Sequence, residues 1–111
     1  HMEEIDLNWR FHLLGHSVLS DSKSVVYHYS GYSLGHEAHR KMYLNHRNNW
    51  MMLLKNYSLK TLLWLIPIRT VFEGITFLAS IVKMDFKRAW AVLRAGVFVL
   101  LHGVKIVRKH R

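Results

Sequence analysis

Residues 85–107 read DFKRAWAVLRAGVFVLLHGVKIV. Phe86, Trp90, Leu93, Val97, Leu100, Val104 and Val107 recur four and three apart, which is the period of one helix face. Asp85 stands ahead of them as an N-cap, a carboxylate that can accept from the unpaired backbone N–H groups of the first turn. Lys87, Arg94 and Lys105 fall near one line of this helix, and are expected opposite the apolar stripe. A helix of this kind can lie in a membrane interface, with its stripe in the acyl boundary and its basic line at anionic headgroups. The same period also suits a helix packed on a protein core with a solvated charged face.

Upstream, a second apolar helix runs from residue 59 and is bent or broken at Pro67, where a backbone donor is missing. A membrane-crossing helix needs about 20 apolar residues. Here Pro67, Arg69 and Glu73 interrupt the run, and Arg94 sits in the middle of the last helix. A central arginine costs roughly 2.5–3.5 kcal/mol in a bilayer. Arg69 and Glu73, four apart, can partly offset each other. Residues 59–111 are therefore expected to lie on or dip into a membrane rather than cross it cleanly. Residues 38–56 read as one helix. Residues 3–14 read as another, with Glu3, Glu4 and Asp6 complementing the helix dipole and Gly15 as its stop. Residues 16–20 and 25–29 read as short strands around the turn Asp21-Ser22-Lys23-Ser24, and residues 30–35 as a loop. The expected fold is mostly α with a short β-hairpin, in two parts, residues 1–58 and a basic, apolar helical tail at 59–111.

The 111 residues carry a net charge of +9 and no cysteine. The lack of cysteine excludes disulfides, cysteine zinc sites and a cysteine nucleophile. Arg10 and Lys23 are the only basic residues up to position 38, against Glu3, Glu4, Asp6, Asp21 and Glu37; the fourteen basic residues that follow face only Glu73 and Asp85. That asymmetry points to an anionic partner for the second part. No basic segment with an apolar core and a small-residue cleavage site stands at the front, so no signal peptide is expected. His36-Glu37-Ala38-His39 lacks the four-residue histidine spacing of a zincin, since position 40 is Arg40. Basic and aromatic residues interleave from Arg40 to Trp64, but no nucleic-acid-binding signature accompanies them, and the apolar tail suits lipid better than phosphodiester.

Three short elements carry the chemical interest: Glu3-Glu4-Ile5-Asp6-Leu7 with Trp9-Arg10 and Gly15; Val26-Tyr27-His28 with Gly31 and Ser33; and Tyr43 with Arg47-Asn48. Taken singly, each has an ordinary explanation as dipole complementation, a structural histidine or a solvated basic face. In this order they resemble the family 2 glycosyltransferases of GT-A fold, over residues 1 to about 68, with Leu53–Thr61 similar to membrane-associated members. The resemblance implies the C-terminal fragment of an α/β GT-A domain followed by amphipathic helices. It implies inverting transfer of a sugar from a nucleotide-diphosphate sugar to a glycan or lipid-linked acceptor, at the cytoplasmic face of a cell membrane, with Mn or Mg as metal. Glu4 then takes the position of the general base, beside Glu3 and Asp6. His28 takes that of a metal ligand, and Arg47 that of a contact to the donor diphosphate. The chain departs from the pattern in three ways. Glu4 stands where most members have Asp, Ser22 where proline is common, and neither an Asp-x-Asp motif nor a nucleotide-binding βαβ unit is present. The resemblance therefore implies that this chain alone transfers no sugar. A basic, membrane-associated helical protein without catalysis and a nucleic-acid-binding module are the alternatives.

Overall fold

The computed structural model describes residues 2–27 and 38–109. Among the described residues the chain is four helices: α1 Glu3–Leu13, α2 Ala38–Asn56, α3 Leu59–Val82 and α4 Phe86–Lys109. Local chemistry sets their ends. Gly15, at φ +81°, stops α1 in the left-handed region, and the His16 N–H closes on the Phe11 carbonyl at 2.9 Å. The Ser58 hydroxyl caps α3 by accepting from the Thr61 N–H, and Asp85 caps α4 by accepting from the Arg88 N–H at 3.1 Å. α3 and α4 are joined by Lys83, Met84 and Asp85 alone, with Met84 at φ 56°, and therefore form a tight helical hairpin. α3 continues through Pro67 without a break. The proline is exposed, and one missing backbone bond does not end a helix that long.

The expected β-hairpin is not formed. Among the described residues there is no strand and no sheet, so the α/β GT-A fragment is not what this chain folds into. Residues 16–20 and 25–27 are exposed coil around a local turn, in which the Lys23 N–H donates to the Asp21 carboxylate at 2.9 Å. The physical reason is that a two-stranded hairpin needs a third strand or a covering helix, and no described element packs on Val18, Leu19, Val25 or Val26. Positions 28 and 29 of the second expected strand lie outside the described residues.

The core is small. It comprises Trp50, Met52 and Leu54 of α2, Leu62 and Ser80 of α3, and Ala89, Ala91, Val92 and Ala95 of α4. α4 packs mainly on α2 and also on α3, while α1 rests lightly on α2. α4 turns its alanines inward, and a Cβ built at Gly103 would lie 3.6 Å from the Leu54 side chain. Small residues let two helix backbones approach closely. The stripe of large residues therefore faces away from the core: Phe86, Trp90, Leu93, Val97, Leu100 and Val104 are all exposed. The reading in which this stripe packs on the chain's own core is thereby overturned.

Candidate functional site

α3 carries the same inversion further. Eleven large apolar residues are exposed on it, from Leu59 to Val82, and seven more on α4. Its inward face holds Leu62, Arg69, Glu73, Thr76 and Ser80, spaced to lie above one another on a helix. Arg69 donates to Glu73, and His46 Nδ1 of α2 lies 2.7 Å from the other Glu73 oxygen. The Arg69 guanidinium also stands over the Trp50 ring, 6.0 Å from its centre. The hydroxyls of Thr70, Thr76 and Ser80 donate to carbonyls one turn back, at 2.7–2.8 Å. Charged groups are thus gathered inside while large apolar groups face out, as lipid favours and water does not, although Arg69 Nε is left without a hydrogen-bond partner among the described residues. Both α3 and α4 are long and apolar enough to cross a membrane.

The acidic turn sits at the other end of α2. Asp6 accepts from the Asn56 amide at 2.8 Å and pairs with Arg10 at 3.4 Å, and Trp9 meets the Tyr57 ring edge-on at 4.6 Å. Glu3 and Asp6 line a cleft of about 220 Å³ with Asn48, Met51, Met52 and Lys55. Glu4 is exposed and has no hydrogen bond or ion pair among the described residues. Two of the three acids thus share a cleft with Asn48, one of the pair Arg47-Asn48.

Arg47 points elsewhere. Its Nε and one terminal nitrogen donate to Asn48 Oδ1 at 3.0 and 2.8 Å, and its guanidinium lies 5.6 Å from the Tyr43 ring centre. Arg94 of α4 reaches the same ring at 4.5 Å. His39, Arg40, Tyr43, Leu44, Arg47 and Arg94 surround an open concavity of about 560 Å³. Sequence reasoning singled out Arg47 and Arg94 separately and missed their convergence. The signal was the spacing of Arg40, Tyr43 and Arg47, which puts all three on one face of α2. His28 lies outside the described residues. No group of three metal-ligating side chains converges among the described residues. The described residues do not assemble a site for the divalent ion.

No protein family, curated protein or solved structure is matched by this chain.

Proposed function

We propose that this chain seats a nucleotide-sugar glycosyltransferase on a membrane, through an α3–α4 hairpin that contacts lipid. The observation that carries the membrane half of the reading is the inversion of α3 and α4, with large apolar side chains outside and the Arg69–Glu73–His46 cluster inside. Magnitudes favour lipid. Fully covering one Val, Leu or Phe gains about 1.5–3 kcal/mol. Even half of that, over the eleven residues of α3 and seven of α4, outweighs the roughly 2.5–3.5 kcal/mol cost of an arginine at mid-bilayer depth. The hairpin lies in the interface on the cytoplasmic side, where a nucleotide-sugar donor is soluble and a lipid-linked acceptor is within reach.

The enzymatic half rests on the order of the motifs at residues 3–15, 26–33 and 43–48 and on the free Glu4 carboxylate. In an inverting transfer that carboxylate takes the acceptor hydroxyl proton as the acceptor oxygen bonds the anomeric carbon. The donor diphosphate leaves with the bonding pair. Asp6, already held by Asn56 and Arg10, keeps the acidic turn in place. In the enzyme containing this segment, Glu4→Gln keeps donor binding and lowers transfer by about 10²–10⁴-fold, the usual weight of a general base. Unchanged transfer removes Glu4 from that role. Turnover of a nucleotide sugar by these 111 residues alone refutes the fragment reading. A second reading, a membrane scaffold without catalysis, is favoured by one observation: the bonds to Asn56 and Arg10 give the acidic turn a purely structural use.

A further inference from the structure

We propose that the basin between α2 and α4 binds the phosphate group of an anionic membrane lipid. The proposal rests on the membrane reading of α3 and α4 and adds to it a defined headgroup site. Arg47 on α2 and Arg94 on α4 make both walls of the basin cationic, and among the described residues no carboxylate lines it. Among the described residues neither Arg47 nor Arg94 has an acidic partner. Both guanidinium groups lie within reach of the Tyr43 ring, at 5.6 and 4.5 Å from its centre, and Arg47 also stands 5.5 Å from the centre of the Phe98 ring, so aromatic faces position both cations at the basin. Asn48 fixes the Arg47 fork using two of its five N–H groups, and three donors remain. Such a pair of planar, positioned forks matches phosphate oxygens far better than it matches one another.

The position on α4 selects a lipid over a soluble phosphate. The line of Lys87, Arg94 and Lys105 flanks the apolar stripe rather than standing opposite it: Trp90, Val97 and Leu101 lie four residues before and three and seven after Arg94, on its side of the helix, and all three are exposed. The basin therefore opens beside the stripe assigned to the acyl boundary, at the depth where a headgroup phosphate sits when its chains lie against Trp90 and Val97. Soluble phosphate gains nothing from those neighbours.

The test compares vesicles of phosphatidylcholine doped with phosphatidic acid against vesicles whose equal negative charge comes from a fatty-acid carboxylate. The full chain is expected to prefer phosphatidic acid at matched charge. Arg47→Gln with Arg94→Gln should lose about tenfold of that preference, the factor expected when charge-assisted bidentate bonds are removed. Lys87→Gln with Lys105→Gln removes the same charge from α4 outside the basin; it should weaken both vesicle types and leave the preference intact. Arg47→Lys with Arg94→Lys keeps the charge but not the planar fork, and should lose the preference while keeping wild-type helicity. Equal loss of preference in the two glutamine doubles, or no preference in the wild type, overturns the site while leaving vesicle binding, and with it the membrane reading, standing. Absence of all vesicle binding overturns both. Inorganic pyrophosphate that binds the micelle-solubilised chain and displaces phosphatidic acid equally well would reassign the basin to soluble phosphates and overturn the lipid assignment.

Discussion

Replacing Trp90, Val97 and Leu100 together by serine should release the chain from membranes without unfolding it. The three residues are 58%, 54% and 83% exposed, so more than half of each is left free of the chain's own packing. A tryptophan carries about 200 Å² of burial, and at about 25 cal/mol per Å² its exposed part is worth roughly 3 kcal/mol in an apolar medium. The exposed parts of Val97 and Leu100 add about 1 and 2 kcal/mol on the same scale. An interfacial helix covers only part of this area, so about half, roughly 3 kcal/mol, is the expected loss. That corresponds to a partition coefficient lower by about 100-fold. The assay is flotation with vesicles over a range of lipid concentrations, with far-ultraviolet circular dichroism as the control for folding. Wild-type binding should also rise with anionic lipid and fall with salt, because the tail is basic. A change in partition below about threefold, with helicity retained, would refute the assignment of this stripe to lipid.

Two further outcomes concern what holds the helices together. Glu73→Gln strands Arg69 and His46, whose side chains are 26% and 19% exposed, and should cost about 2 kcal/mol in detergent-solubilised unfolding. Arg69→Met combined with Glu73→Leu should cost less than that single change, and additive losses would contradict the coupling. Trp9→Ala removes the edge-on contact with Tyr57, and α1 buries no residue of its own. Hydrogen exchange should therefore quicken about tenfold in α1 and stay unchanged in α2 and α4.

The parts of the fold legible in the sequence were those written in local chemistry. Residues 38–56 carry α2 as expected, Gly15 ends α1, and Asp85 caps α4. The period of the last helix correctly placed its large residues on one face. A period alone does not say what covers that face, however. The chain chose the alanine side for packing because close backbone approach favours Ala89, Ala91 and Ala95 over the bulky stripe. The β-hairpin failed for a related reason, since alternation and a turn define strands only where something pairs with them or covers them. At the candidate site, the Arg69–Glu73 pair was readable four residues apart within one helix. His46 joining it, and Arg94 meeting Tyr43, depend on how α2 crosses α3 and α4, which no local spacing encodes.

Whether the hairpin lies on the membrane or crosses it is decided at its tip. Twenty-four residues at 1.5 Å each give α3 and α4 about 36 Å, more than the roughly 30 Å of a hydrocarbon core, so length permits a crossing. Neighbouring charge opposes one. α2 packs along α4 and carries Arg40, Lys41, Arg47 and Lys55, so a crossing α4 would draw a strongly polar helix towards lipid. The tip itself bears Lys83, Asp85, Lys87 and Arg88, all of which would have to traverse the core. In the interfacial arrangement none of them moves through lipid, and α2 stays on the water side. The absence of cysteine makes the test clean. Met84 at the tip is exposed, and Met84→Cys introduces one thiol. When the chain is added to the outside of sealed vesicles, a membrane-impermeant maleimide should label this thiol as fast as it labels a cysteine placed at Lys60. Protection of the tip until the vesicles are opened by detergent, with Lys60→Cys labelled throughout, would mean that the hairpin crosses and would overturn the interfacial placement.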